Sequence, residues 1–368
     1  MKRTFRGPFI FILGVTFSGF IFSMHYTRSR ELTEQRSVSR MFPDASSPVL
    51  PPSSATDQSS CECVSEATGK KYHFCYVDPQ NPQSVGKKFD CAHLKHLEKL
   101  NLVENPGPFV NLSDSIKNEQ EVVFCSAVSD NHFNEGTHSL ASLRQFYPKR
   151  KYIIYGLDLN NLYADYFKKD ANVEYRHFNT SGYPEYVGAW MEYRFKPLIL
   201  AEVMKEHASI WWMDAHIAVK KPNMTNELFR EIAENRKNAS QPLPSPIVFF
   251  IHASHSNFAV MFPQLLDYFP SNSVPLLKNE EHGSQLGANT FYVARTEYTV
   301  KIFKWWILCA LDKTCMSPPG SQVFCRFGSN RFDVFANCYR FDQSVINLLL
   351  LNDFQDHHKY YSKLGYLF

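Results

Sequence analysis

One short motif combines a carboxylate and an imidazole where an apolar run gives way to polar residues. Asp214 and His216 stand two apart in the run SIWWMDAHIAV, 209–219. Residues two apart in an extended chain lie on one face, so both side chains could reach one divalent ion. Oxygen with nitrogen ligation suits Mn²⁺, with Mg²⁺ as the related choice, and such a cation can neutralise a diphosphate leaving group. The alternative is an aspartate that caps a turn beside an ordinary histidine.

A second candidate group opens a late apolar helix in the run RFDQSVINLLLLNDF. Asp342 falls near the predicted helix N-terminus, where the helix dipole stabilises carboxylates, so simple capping is one explanation. The other explanation is that Asp342, with its neighbour Gln343, acts on a substrate as a general base or hydrogen-bonding group. That role requires both side chains to line a cleft.

Further polar residues beside predicted strands and helices could bind a ligand. Asp130 follows the first strand and could hold a ribose or base edge, or form an Asx turn. Arg194 and Lys196, at a helix start, could bind phosphate or lie on a solvated face. Asn289, in QLGANTFYV, could meet a sugar hydroxyl. The candidates for a third metal ligand are His282, His357 and His358.

These residues need a scaffold, and the chain from Glu121 alternates β-type runs with helical patterns. The predicted strands are EVVFCSAV (121–128), KYIIYGLDL (151–159), NVEYRHFN, SIWWMDAHIAV, PIVFFIHAS and ANTFYVAR. The predicted helices are THSLASLRQFY, 192–208, 297–312 and the run that begins RFDQSV. This alternation predicts an α/β fold whose mostly parallel sheet has helices on both faces. Ligands of such sheets bind beyond the carboxyl ends of the strands.

Several function classes find no support in the sequence. No G-x-S-x-G, P-loop, G-x-G-x-x-G or H-E-x-x-H pattern occurs, which removes the commonest hydrolase, kinase, dinucleotide-binding and metalloprotease interpretations. The formal net charge of +3, without a long basic run, gives no indication of a nucleic-acid partner.

The N-terminal region predicts attachment to a lipid bilayer. No formal charge occurs between Arg6 and Arg28, and we expect a transmembrane signal-anchor over 8–27 behind a cytoplasmic tail, 1–7. A cleaved signal peptide is the alternative. Residues 28–60 are rich in Ser and Pro and predict a disordered stem. The expected topology is single-pass type II with a lumenal domain, and the short apolar stretch favours the Golgi.

Cysteines and glycosylation sequons fit this topology. All nine cysteines follow the predicted anchor, in two sets of four around a lone Cys125. Even sets predict disulfides within each set, with zinc as the alternative, whereas the apolar run around Cys125 predicts a buried free thiol. We divide this part into a small disulfide-stapled region, 61–118, and a main domain, 119–368. The N-x-[ST] sequons are at Asn111, Asn179, Asn223 and Asn238.

The order of segments carries a family resemblance. AVSDNHFNEGTHSLASLRQFYP, IIYGLDL, EYRFKPLILAEV, IWWMDAH and RFDQSVINLLL follow one another as in the nematode-expanded domain-of-unknown-function family 1647, which the chain closely resembles over about 119–355. That family is similar to GT-A glycosyltransferases, whose fold is Rossmann-like. The resemblance implies that Asp214 and His216 match a D-x-D or D-x-H metal motif. It implies that Asp342 and Gln343 match a segment on the acceptor or sugar side, and that a nucleotide-sugar such as a UDP-sugar is the donor.

These expectations favour a glycosyltransferase that moves a sugar from a nucleotide-sugar to a glycan or glycoprotein acceptor in a secretory-pathway membrane. Asp130, Arg194 or Lys196 would hold the nucleotide. Two alternatives stay open. One is a catalytically inactive lumenal binding or scaffold protein with the same fold, and the other is a secreted lectin-like protein whose anchor is cleaved.

Overall fold

A computed structural model describes residues 61–104, 106–237, 245–272 and 274–368. The predicted tail, signal-anchor and stem, 1–60, lie outside the described residues, as does the sequon at Asn238. Within the described ranges, no helix combines the length and the apolar character that crossing a bilayer requires.

The described residues begin with short strands and then alternate strands with helices. The strands are β1 Glu62–Val64, β2 Lys71–His73, β3 Val77–Asp78, β4 Asn81–Val85, β5 Val123–Ser129, β6 Tyr152–Leu157, β7 Val173–His177, β8 Ser209–Met213, β9 Ile247–Ser256 and β10 Ser284–Ala294. The helices are α1 Leu94–Lys99, α2 Leu112–Ser115, α3 Phe133–Phe146, α4 Asn161–Lys168, α5 Phe195–Met204, α6 Met224–Lys237, α7 Leu265–Tyr268, α8 Val274–Leu277, α9 Glu297–Leu311, α10 Lys313–Met316 and α11 Phe341–Phe354.

Six strands form one mixed sheet in the order β7-β6-β5-β8-β10-β9. The strands β7, β6, β5 and β8 are mutually parallel, whereas β10 runs antiparallel to both β8 and β9. The prediction of an α/β fold with a mostly parallel sheet is therefore confirmed. Because β10 is the strand that reverses, the carboxyl ends of β8 and β9 lie at the same edge of the sheet.

Helices cover both faces of this sheet, because successive strand residues point to opposite sides. On one face, Phe124 and Trp211 belong to a buried cluster with Leu143 of α3 and Leu228 of α6. On the other face, the Phe291 ring lies 6.3 Å from the ring of Trp306 on α9. Tyr155 likewise donates a hydrogen bond of 3.1 Å to Glu202 on α5. Burial on both sides explains why β5, β6 and β8 read as continuous apolar runs.

Disulfides join the cysteines within each predicted set. In the first set, Cys61 pairs with Cys75 and Cys63 with Cys91. In the second, Cys309 pairs with Cys315 and Cys325 with Cys338. The prediction of disulfides inside each set is confirmed. Cys125 is the buried free thiol that was expected, and burial raises its pKa.

Side chains of α11 complete the backbone hydrogen bonding of β10 where its neighbour stops. Pairing with β8 covers only Thr290–Ala294, so the earlier part of β10 extends past that strand. Asn347 accepts a hydrogen bond from the Leu286 N–H (2.9 Å) and donates one to the Leu286 carbonyl (2.8 Å). One turn earlier, Gln343 accepts the Ala288 N–H at 3.0 Å. The amide side chains of α11 thus act as a substitute strand and fix the helix against the sheet.

This clamp predicts a large stability loss for Asn347→Ala. The substitution leaves the buried N–H and C=O of Leu286 without partners, which is expected to lower the free energy of unfolding by about 2–4 kcal/mol. Chemical denaturation followed by tryptophan fluorescence measures the change. Asn134→Ala, on the exposed side of α3, is the matched control and should change stability by less than about 0.5 kcal/mol. Equal stability of the two variants would contradict the clamp.

Candidate functional site

A single buried ammonium group joins the elements that meet beyond the carboxyl end of β8. Lys196 lies in the first turn of α5 and is 2% exposed. Its Nζ lies 3.1 Å from Oδ1 of Asp214, 2.9 Å from Oδ2 of Asp342 and 2.9 Å from the Ala288 carbonyl oxygen. The ammonium group thus donates hydrogen bonds to the turn after β8 and to β10 and forms an ion pair with the start of α11.

Burial and charge act in opposite directions within this group. Burial by itself would lower the pKa of Lys196, but Asp214 and Asp342 raise it above its usual value, so the ammonium form is retained. Burial raises the pKa of Asp342, and the attraction of Lys196 only partly opposes that rise. The expected helix-start position of Asp342 is confirmed, and its side chain is 5% exposed.

Asp214 and His216 lie in a turn that follows β8. The Ile217 N–H donates to the Asp214 carbonyl at 2.9 Å, so residues 214–217 fold back rather than continue as the extended chain that was expected. The Asp214 N–H donates to the Asn289 carbonyl of β10 at 2.8 Å, and no residue beyond Met213 is in register with β10, so the pairing ends where this turn begins. Both side chains still line one cavity.

The donor set of this turn fits a cation that is bound together with a ligand. Oδ1 of Asp214 accepts the indole N–H of Trp212 at 2.7 Å and faces Lys196, whereas Oδ2 has only a longer contact of 3.4 Å to Lys196. The exposed His216 imidazole makes no hydrogen bond within the described residues. Two protein ligands are available, so ligand oxygens and water would complete the six-coordinate shell that Mn²⁺ or Mg²⁺ prefers.

The wall formed by β10 presents an unsatisfied acceptor. Oδ1 of Asn289 is buried and accepts no hydrogen bond within the part of the chain that the structure describes. A Cβ atom at Gly287 would lie 3.0 Å from that oxygen, so a side chain there would close off the approach. A ligand hydroxyl or N–H is the group that would satisfy Asn289. Gln343 also lines the cavity, but its amide is bonded to Ala288 and, at 2.6 Å, to Gln285.

Aromatic and cationic side chains form the opposite wall, in the irregular segment 317–340 and at the end of β9. The Arg331 guanidinium stacks 4.2 Å over the Phe327 ring, and its Nε is buried without a hydrogen-bond partner. The His255 ring also stacks on the Phe327 ring, with the centroids 4.9 Å apart, and burial lowers the pKa of His255 to about 4. Arg340 completes this wall. The cavity has a volume of about 640 Å³, which is within the range of small-molecule sites.

The formal charges in the cavity favour an anionic ligand. Three cationic side chains line it (Lys196, Arg331 and Arg340), against two carboxylates (Asp214 and Asp342). The local formal charge is thus +1 with neutral histidines. A diphosphate would find compensating charge here without an unpaired buried ion.

Two predicted nucleotide-binding residues lie outside the cavity lining. Arg194 is fully buried beneath Tyr186, and its guanidinium donates to Glu192 and to the backbone carbonyls at the end of α9. Asp130 follows β5 and accepts hydrogen bonds from the Asn160 N–H (2.8 Å) and side-chain amide (3.1 Å). Arg194 thus connects the start of α5 with the end of α9. Asp130 connects the loops that follow β5 and β6.

The structure also shows site residues that the sequence did not single out. His252, His255, Arg331, Arg340 and Tyr193 line the cavity. The positions of His252 and His255 were predictable, because both follow the apolar run PIVFFI at the end of a predicted strand. Arg331 had none, because it lies in a segment without periodicity. The three histidines proposed as third metal ligands do not line the cavity: His282, His357 and His358.

A comparison with protein families gives one match. Residues 61–201 match the family DUF1647, described as a protein of unknown function. The resemblance to family 1647 is confirmed over that range. The match ends inside α5, so it includes Lys196 but neither Asp214 nor Asp342. Among curated proteins, none matches the chain in sequence.

Solved structures with a similar fold include several glycosyltransferases. The mannosyltransferase Ktr4p from S. cerevisiae is 13% identical, covers 71% of this chain and 76% of its own, and has a TM-score of 0.39. GlyE of Streptococcus pneumoniae TIGR4 is 12% identical, with coverages of 66% and 45% and a TM-score of 0.37. The galactosyltransferase LgtC is 10% identical, with coverages of 61% and 69% and a TM-score of 0.34. The likeness concerns the fold alone.

The raised pKa of Asp342 predicts a pH-dependent effect of Asp342→Asn. Between the unfolded and the raised folded pKa, the folded chain holds a proton that the unfolded chain lacks, so stability falls as pH rises through that interval. Asparagine carries no charge to desolvate. Relative to wild type, Asp342→Asn should therefore become more stable as the pH rises above the unfolded aspartate pKa of about 3.9, as measured by chemical denaturation. The exposed Asp165→Asn is the control, and a pH-independent difference for Asp342→Asn would contradict the assignment.

Proposed function

We propose that the chain is a GT-A-like glycosyltransferase that transfers a sugar from a nucleotide-sugar, such as a UDP-sugar, to a glycan or glycoprotein acceptor. The observation that carries the proposal is the cavity beyond the carboxyl ends of β8 and β9. There Asp214 and His216 lie beside Lys196, Asp342 and Arg331. This one cavity combines a cation-binding pair, a cationic wall and a buried carboxyl group. A diphosphate-linked donor requires these three features.

Each part of the cavity has a role in this proposal. Asp214 and His216 would hold Mn²⁺ or Mg²⁺, which supplies charge neutralisation for the departing diphosphate. Arg331 and Arg340 bind phosphate oxygens through charge-assisted hydrogen bonds. Lys196 keeps the two carboxylates at a fixed separation.

Asn289 and Asp342 are assigned to the sugar. The free Oδ1 of Asn289 accepts a hydrogen bond from a sugar hydroxyl. Asp342, whose raised pKa favours proton uptake, hydrogen-bonds the acceptor hydroxyl and takes its proton as the general base. Asp130, placed after β5 at the edge where β8 also ends, remains the candidate for the nucleoside.

One feature favours the inactive binding protein as the second candidate. Lys196 already occupies Asp214 and Asp342 with its ammonium group, and an ammonium ion so close to Asp214 competes with a metal cation for that carboxylate. A chain that relies on this internal cation could bind a nucleotide and still lack metal-dependent turnover.

The two candidates differ in their response to Asp214→Asn. Purified chain is tested with a panel of nucleotide-sugars, with and without Mn²⁺, for thermal shift and for nucleoside diphosphate release. One donor should raise the unfolding temperature by mass action and be hydrolysed slowly. Asp214→Asn should lower the Mn²⁺-dependent rate by about 100-fold.

The exposed Asp114→Asn on α2 is the matched control and should retain the wild-type rate. Nucleotide binding without turnover would favour the inactive protein. No binding of any donor would exclude both.

We propose further that this domain is lumenal in the Golgi or a related secretory membrane, held by the segment 8–27. The disulfides and the exposure of Asn111, Asn179 and Asn223 support this location. N-glycan removal should reduce the mass of the chain made in eukaryotic cells, and Asn→Gln at these positions should reproduce the loss stepwise. Asn134→Gln, an exposed asparagine outside any sequon, should leave the mass shift unchanged. A chain without N-glycans would contradict the lumenal placement, and sequencing its N-terminus separates an anchor from a cleaved signal.

A further inference from the structure

Two of the histidines that the cavity leaves out meet an aspartate elsewhere on the surface. His282 lies in the loop before β10, and Asp356 and His358 lie in the turn after α11. The His357 N–H donates to the His282 carbonyl at 2.8 Å, which holds the two segments together. Nδ1 of His282 lies 3.5 Å from Oδ1 of Asp356, and Nδ1 of His358 lies 2.8 Å from the same oxygen.

We propose that His282, Asp356 and His358 form a binding site for one transition-metal cation of the Zn²⁺ class. One ligand atom from each residue lies within 4.8 Å of the others. Ligands at Zn²⁺ bond lengths of about 2.0–2.2 Å on a tetrahedral ion lie about 3.3–3.5 Å apart. The His282–Asp356 distance already has this value, and the His358–Asp356 contact needs to open by about half an ångström.

The surroundings of His282 also fit a metal ligand. Its Nδ1 is buried and makes no hydrogen bond within the described residues. Its other ring nitrogen, Nε2, lies 3.7 Å from a carboxylate oxygen of Glu281. Metal-bound histidines commonly direct their second ring nitrogen to such a carboxylate, which orients the ring and strengthens the ligand.

The ligand types select the kind of ion. Two imidazoles with one carboxylate suit Zn²⁺, whereas Ca²⁺ and Mg²⁺ prefer sites built from oxygen. The side chains of His282 and His358 are 45% and 52% exposed, so an ion can enter from solvent and water can take the fourth position. The bound ion would cross-link the loop before β10 to the turn after α11. None of the three residues lines the cavity, so this site is independent of the proposed transfer reaction.

Zn²⁺ titration of the full chain, purified without a histidine tag, in competition with a chromophoric chelator tests the proposal. We expect one equivalent of Zn²⁺ per chain. Co²⁺ should give the intense visible absorption of a four-coordinate site. His282→Ala, His358→Ala and Asp356→Asn should each raise the Kd for Zn²⁺ by at least about tenfold. Asp356→Asn retains an oxygen to accept the His358 N–H, which caps the turn at 3.0 Å, so it separates ligation from folding.

Controls separate this site from adventitious binding and from the cavity. The chain has 14 histidines, so the exposed His138→Ala serves as the matched control and should bind Zn²⁺ like wild type. His216→Ala should also leave this Zn²⁺ affinity unchanged while removing a ligand of the cavity. Unfolding temperatures in excess chelator should be the same for all variants. Absence of stoichiometric Zn²⁺ binding, or wild-type affinity in the three ligand variants, would overturn the proposal.

Discussion

The ammonium group of Lys196 is the interaction on which the arrangement of the cavity depends. It is surrounded by Asp214, Asp342 and the Ala288 carbonyl, which come from three different parts of the chain. A buried cation in this position costs desolvation energy unless opposite charge and acceptors surround it, and here two carboxylates and one carbonyl oxygen do so. Removing any one of them would leave charge without compensation, so the turn after β8, the start of α11 and β10 must be positioned together.

The strand β10 transmits this constraint to the rest of the sheet. It runs against its neighbours and extends beyond β8, and the polar face of α11 binds the part that extends. There the amide side chains of α11 make the backbone hydrogen bonds that a neighbouring strand would otherwise make. The same extension brings Asn289 and Gly287 to the edge where the parallel strands end. One wall of the cavity is therefore a consequence of where the parallel strands of the sheet end.

The alternation of strands and helices, the two cysteine sets and the helix-start position of Asp342 could all be predicted from the sequence. Each of them depends on a local pattern of residues. The sequence also placed Asp214 and His216 near a strand end, which is where the cavity lies, and it named Asn289, which lies within β10. It failed where partners are distant. Nothing near Arg194 indicates that its guanidinium binds carbonyls at the end of α9, more than a hundred residues away. Nor does the sequence indicate that the amide of Gln343, which lines the cavity, is bonded to the backbone of β10. Arg331 carries no periodic signal at all.

The segment 317–340 forms one wall of the cavity with almost no regular structure of its own, and the Cys325–Cys338 disulfide closes it into a loop. Its backbone is also tied by hydrogen bonds from Arg326 to Ala336 and from Tyr339 to Gln322. A covalently closed loop of this kind can exchange side chains between its two cysteines without altering the sheet that supports it. Substitutions in this loop could therefore change which ligands the cavity accepts while the carboxylates and the lysine stay in place. A library of variants confined to the loop would sample ligand specificity with few variants that fail to fold.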